Sequence, residues 1–434
     1  MKRTVEITWR RLALLPVIGV AGALLVGGSG LVSIAASSGH LAPVEWFLHW
    51  TFNRAVVTQS LPIAVPAGVD LADPLLVQRA AGHFASGCAP CHGAPGEKQS
   101  PLTQAMVPPP PRLEENVGHW RDRELFWLGL HGIKYSGMPA WTAPSRPDEV
   151  WSMVAFLRAL PGMKAETYAD LALGGGQAGK AGAAPTDAAP GLIPGLAALG
   201  EKAAPALADC ARCHGYDGRG RGAPGAFPNI AGQPEAYLAA TLLAYASGTR
   251  ESGIMTPAAG IHEEATLREL AAWYAAQDPG PATSGPIPPP AGVAIGYEGA
   301  ARLPRGSIGP GAPDIEPAPS GAAAALDPAA ANGPPYSTAG LSELGRRIAQ
   351  EGLPERKLAA CETCHGAAGR ARNPNHPRLA GQPEWFIATQ LQLWKDDHRG
   401  GTPSNHVMIP IATNMTQEQI DALALWYSRA DPAR

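Results

Sequence analysis

Charge and cysteine are both scarce in this chain. Asp, Glu, Lys and Arg make up only 16% of its 434 residues, and the net charge is −3. Without a basic excess there is no electrostatic footprint for a nucleic-acid partner. Runs of alternating apolar and polar residues are missing, which argues against a sheet and leaves helices. Six cysteines are few for such a length, and all of them lie in one repeated pattern, so no disulfide framework is expected. Glycine and proline, by contrast, are abundant at 51 and 45 residues. That is high for one compact fold, and the length admits about three domains.

The repeated pattern is C-x-x-C-H-G. It holds Cys88, Cys91 and His92, then Cys210, Cys213 and His214, then Cys361, Cys364 and His365. Paired C-x-x-C knuckles can supply a zinc site, and a lone pair can be a redox dithiol in a βαβ setting. The third reading is covalent haem, in which the two thiols bond the porphyrin vinyl groups and the next histidine becomes the proximal iron ligand. The thiols then have to lie one helical turn apart, with the histidine turned to the same ring face. Three copies that use every cysteine, each followed by histidine and glycine, favour haem. Structural disulfides would leave each histidine without a reason.

The motifs define three units. Short helical patterns precede the cysteines, and amphipathic helices end each unit at Arg146–Leu160, His262–Gln277 and Thr416–Ala430. Thr416 with Glu418 and Gln419 reads as a helix N-cap region. The resulting division is 74–165, 195–279 and 336–434 for three haem domains, with linkers at 166–194 and 280–335 where Ala, Gly and Pro dominate. Such stretches bury too little apolar surface to offset the entropy of ordering.

The N-terminus carries Lys2, Arg3, Arg10 and Arg11, then an uncharged run from Leu12 to Ala36. As one helix that run would span ~37 Å, enough for a bilayer. The sequence therefore predicts a cytoplasmic N-terminus and transmembrane anchor over 1–36, with a cleaved signal peptide as the alternative. The basic flank would keep the rest of the chain on the far side. A juxtamembrane segment at 37–73 follows, its Trp46, Phe47, Trp50 and Phe52 suited to a membrane–water interface.

A second axial ligand closes a haem for electron transfer, and a thioether favours reduced iron. Met138, Met255 and Met408 stand 46, 41 and 43 residues after their histidines. Met255 is the one methionine of the second unit. Met415 competes in the third unit, and Met106 and Met153 in the first. Met415 and Met153 read as core, and Met106 lies too close to His92. His376 and His406 are alternative ligands in the third unit, as are His119 and His131 in the first. Prolines at 111, 228 and 377 each offer a carbonyl that can take a hydrogen bond from the proximal histidine's other nitrogen.

These pieces resemble class I cytochrome c. The second and third units, over about 195–278 and 341–431, are similar to two-haem cytochromes of the c-four type. The matching residues are C-x-x-C-H-G, P-x-[IL]-A-G-Q-P, the methionine loop and a final helix carrying "AWYA" or "LWYS". The first unit, over about 74–162, is similar to single-haem domains through its "SGMPAW" loop, and lacks A-G-Q-P. The long linker before Pro335 departs from the two-haem pattern.

The fold expected is all-α: three helical haem domains in tandem behind one transmembrane helix. The function expected is a membrane-anchored three-haem c-type cytochrome at the bacterial inner membrane, with its three covalent haem c groups in the periplasm. It would carry single electrons between a dehydrogenase or quinol-oxidising complex and a terminal oxidase or soluble cytochrome. The alternatives are a haem subunit of a membrane-bound dehydrogenase, or a haem peroxidase or sensor with one open iron. Partners would be redox proteins and the membrane, with no nucleic acid.

Overall fold

In the computed structural model, residues 8–35, 37–174, 199–280, 338–370 and 373–432 are described. These residues are helical, with no strand and only isolated bridges among them. Of the expected linkers at 166–194 and 280–335, residues 175–194 and 281–335 lie outside the described residues.

Helix α1 covers Trp9–Gly28 and α2 covers Ala42–Gln59. Here the structure corrects the sequence reading. The uncharged run is not one helix: α1 stops where Gly27 and Gly28 meet Ser29, and Gly30 turns the chain at φ +72°. Paired glycines cost helix stability because their backbone has the most freedom to lose. The apolar helical part from Leu12 to Gly28 is then only about 25 Å long, against ~30 Å of hydrocarbon. Among the described residues, no helix is long and apolar enough to cross a membrane. The C-terminal half of α2 docks on the first unit, burying Val56 and setting Phe52 edge-on to Trp120.

The first unit packs α3 (Pro74–His83), α4 (Asp122–His131), α5 (Pro147–Ala159) and α6 (Ala165–Leu173). Asp73 caps α3 through the Leu75 N–H, and Pro74 sits where no N–H is needed. Phe84 and Phe156 meet at 4.9 Å, and Phe126 stacks on Trp151 at 4.4 Å. Each such ring contributes about 1.5–3 kcal/mol by leaving water. Helix α6 is a second correction. The linker expected from Glu166 begins instead as helix, because Tyr168, Leu171 and Ala172 recur at helical spacing and seal the first core.

The second unit is α7 (Ala203–His214), α8 (Glu235–Ala246), α9 (Met255–Gly260) and α10 (Glu264–Ala275). The third repeats the plan with α11 (Thr338–Gln350), α12 (Glu384–Lys395), α13 (Asn405–Thr413) and α14 (Gln417–Arg429). Thr416 caps α14 in a reciprocal box with Gln419. Helices α11 and α14 cross so closely that a Cβ on Gly345 would lie 2.1 Å from the Ala422 carbonyl oxygen, so only glycine fits.

The repeated A-G-Q-P turn has several jobs. Its glycines, Gly232 and Gly381, take positive φ and donate to the carbonyls of Tyr274 and Tyr427 on the final helices. Its proline, Pro234 or Pro383, stands at the N-cap position of α8 or α12. Its glutamine crosses to the other unit. Gln382 accepts from the Asn229 N–H (3.1 Å) and donates to the Asn229 carbonyl (2.6 Å). Gln233 does the same to Arg378, at 2.9 and 3.0 Å. The second and third units therefore pack face to face despite the long intervening segment. Both glutamines are buried. Gln382→Leu should strand two buried backbone groups and cost on the order of 2 kcal/mol. Thermal unfolding would measure this, and an unchanged melting temperature would refute the role.

Candidate haem sites

The cysteine pairs sit on single turns of helix. In the third unit both Cys364 and His365 donate backbone N–H to the Cys361 carbonyl, at 3.2 and 2.9 Å. In the second, α7 runs unbroken through Cys210, Cys213 and His214. In the first, a π-helical turn at Phe84–Cys88 leads into Ala89–His92. The thiols of each pair are thus one turn apart, as vinyl addition demands.

The histidines are prepared for a metal. His92 Nδ1 donates to the Pro111 carbonyl (2.8 Å) and His365 Nδ1 to the Pro377 carbonyl (3.0 Å). A carbonyl can only accept, so the hydrogen is on Nδ1 and Nε2 keeps its lone pair. Burial holds His214 and His365 down to about 4, against the opposing pull of the Pro228 and Pro377 carbonyls. Burial also lowers His92, opposed by Pro111. His214 Nδ1 makes no hydrogen bond of ordinary geometry. All three rings are neutral at pH 7, which is the ligating form.

The thiols are unlike a redox dithiol. Burial pushes Cys88, Cys210 and Cys361 up to about 12 and Cys213 to about 11, whereas reactive dithiols have lowered values. Among the described residues no three His, Cys, Asp or Glu side chains converge as ion ligands, so the zinc reading has no site.

One cavity is lined by Cys210, His214 and Met255 of the second unit and by Cys361, Cys364, His365 and Met408 of the third. Between its two halves lie Arg250 and Arg399, 3% and 4% exposed, whose backbones bridge each other. Neither has an ion pair among the described residues. Arg250 donates to Gln390 (2.8 Å) and lies over the Tyr245 ring, Arg399 donates to the Tyr237 hydroxyl (3.4 Å) and lies 3.5 Å over the Trp394 ring, and Arg399 Nε has no hydrogen-bond partner. Burial first, and then the charge of Arg250, push Arg399 down to about 9. Two buried cations without an anion cost several kcal/mol each. Haem carboxylates would supply that anion, and the cavity's apolar walls and neutral histidines fit the macrocycle. Sequence reading passed over these arginines, although each stands just beyond its unit's middle helix, in "SGTR" and "DHRG".

The remaining candidates fall as follows. Met138 lies in a turn where its carbonyl accepts from Ile133 and its N–H donates to Ser136. Met106 comes up against Gly137 in that same turn, nearer than its sequence position suggests. Met153 is buried in the first core, and Met415 is buried in the third while also lining the shared cavity. His376 has both ring nitrogens engaged, by the Cys364 carbonyl and the Ser404 hydroxyl, each at 3.1 Å. His131 packs on Trp127. His83, which sequence reading did not single out, lies edge-on to Trp141 at 4.8 Å, and burial holds it near 4.

His83 carries a pH prediction. It is neutral when folded, while the unfolded chain binds its proton below about 6.5. Its contribution is therefore complete above that pH and declines as pH falls towards 4, by up to about 3 kcal/mol. His83→Phe should flatten the fall in melting temperature between pH 7 and 4. An equal slope in both proteins would contradict this.

The family described as cytochrome c oxidase, cbb3-type, subunit III matches residues 76–157, and the family cytochrome c matches 197–272. The "Thiosulfate dehydrogenase electron acceptor" of Thiomonas intermedia is 31% identical over 224 residues, covering 52% of this chain and 79% of that protein. Cytochrome c-552 of Acidithiobacillus ferridurans is 29% identical over 240 residues, 54% of this chain and 80% of its own. Cytochrome c-554(548) of Halomonas halodenitrificans is 38% identical over 87 residues, 19% of this chain and 99% of its own. The chain belongs to the multihaem class I c-type cytochromes. It is an electron-transfer protein whose cofactor is covalently bound haem c.

Proposed function

We propose that the chain carries single electrons through three haems, one in each of the domains 74–165, 195–279 and 336–434. His92, His214 and His365 are the proximal ligands, and Met138, Met255 and Met408 the distal ones. The carrying observation is the set of three C-x-x-C-H turns with neutral histidines, two of which share a cavity with a methionine of their own unit. Bound haem supplies the one-electron couple. The chain's own residues do the rest. The Pro111 and Pro377 carbonyls orient the His92 and His365 imidazoles, the thioethers would favour the reduced iron, and Arg250 with Arg399 would balance the haem carboxylates.

The working side is the periplasm, supported by the uncharged run behind basic residues that favours export. The donor is a dehydrogenase and the acceptor a terminal oxidase or soluble cytochrome. Similarity to an electron acceptor of thiosulfate dehydrogenase supports a dehydrogenase as donor. Mixing the oxidised holoprotein with a thiosulfate dehydrogenase and thiosulfate tests this: haem absorbance should convert to the reduced form within milliseconds to seconds. No reduction by that enzyme would remove it as donor, and carbon monoxide binding to untreated reduced protein would favour a haem enzyme or sensor instead.

A further inference from the structure

The loop that carries Met255 is held from outside its own unit. Glu149, on α5 of the first unit, is buried, and its carboxylate has four partners. Oε1 accepts from the Ser252 hydroxyl (2.6 Å) and pairs with Arg146 (2.8 Å). Oε2 accepts from the Gly253 N–H (2.6 Å) and the Trp141 indole (3.3 Å). Two of the four therefore belong to the second unit. Ser252 Oγ in turn accepts from the backbone N–H of Met255 (3.0 Å) and Ile254 (3.3 Å), where α9 begins. Ile254 packs on the first unit's core. A Cβ on Gly253 would collide with the Trp141 indole, so the two units touch there without a gap. Trp141 itself lies three residues after Met138. The methionine loops of the first two units are thus packed against each other.

We propose that Glu149 is a positioning residue for the second haem: through Ser252 and Gly253 it sets where the Met255 sulfur sits, so the first unit tunes the second unit's iron. The proposal rests on the reading that Met255 is the distal ligand. A charged, buried carboxylate is a costly way merely to join two surfaces. Aimed at two backbone-fixing groups beside a ligand, it restrains the sulfur's position, and an iron–thioether bond is sensitive to that position.

The test uses full-length holoprotein with Glu149→Gln, Ser252→Ala and, as reference, Met255→Ala. Asp122→Asn, which breaks the Asp122–Arg158 pair inside the first unit, controls for loss of that unit's stability alone. Three quantities are read: the potential of whichever haem Met255→Ala shifts, the fraction of iron open to carbon monoxide, and amide exchange over residues 252–256. Glu149→Gln and Ser252→Ala should lower that potential in the same direction as Met255→Ala but less. They should also open part of one iron to carbon monoxide and speed exchange of the loop about tenfold, as loss of a hydrogen bond to a charged group implies. Asp122→Asn should change none of the three. If Met255→Ala shifts a haem while Glu149→Gln and Ser252→Ala leave that haem unchanged, the positioning role is wrong and ligation by Met255 stands. If Met255→Ala shifts nothing, both are wrong. Should Glu149→Gln fail to fold, Ser252→Ala decides the question alone.

Discussion

Denatured full-length protein is expected to retain three haems per chain. Thioether bonds are covalent and survive unfolding, so the count does not depend on the native fold. Each cysteine pair occupies one helical turn with its histidine next in line, and no cysteine is left over. The double substitution Cys361→Ser with Cys364→Ser should reduce the count to two. It should also cost the third unit most of its stability, because the apolar cavity beside Met408, Met415 and Leu423 would lose its filling. Mass spectrometry of the denatured wild type reads the count directly, and fewer than three haems per chain would sink the three-haem reading.

The second large effect is expected at Met255. Met255→Ala should leave haem attachment intact, because the Cys210 and Cys213 bonds and His214 remain. It should lower one potential of the three by on the order of 0.1 V, part of the roughly 0.8 V that axial ligation spans. It should also open one iron to carbon monoxide. Met415→Leu should do neither. Met415 is 3% exposed in the third unit's core, its carbonyl is held by Lys395 at 2.7 Å, and leucine replaces its volume. Redox titration followed by carbon monoxide difference spectra checks both. If Met255→Ala leaves potential and ligand binding unchanged, the sixth ligand lies elsewhere, and His262 is the next residue to try.

The sequence alone determined much of what is local or periodic. The three attachment turns were legible because spacing within one helical turn is a property of adjacent residues. The terminal helices and the Thr416 cap were legible because their periodicity and end signals repeat within a dozen residues. The proline carbonyls could be named because each lies a short loop from its histidine. Local reading also erred in two places. Counting uncharged residues from Leu12 measured composition rather than helix continuity, and the glycines at 27, 28 and 30 broke the span. Counting Ala and Gly after Glu166 hid a helical stripe that needed the first unit's core to become visible.

Only the tertiary structure decided how the units meet. Gln233 and Gln382 bond residues about 150 positions away, Glu149 grips a loop 104 residues on, and Arg250 and Arg399 come together from separate repeats. No local period encodes such pairs. A buried glutamine, glutamate or arginine looks like a surface residue in sequence, and becomes a constraint only when folding removes water and leaves each polar group to find its partner.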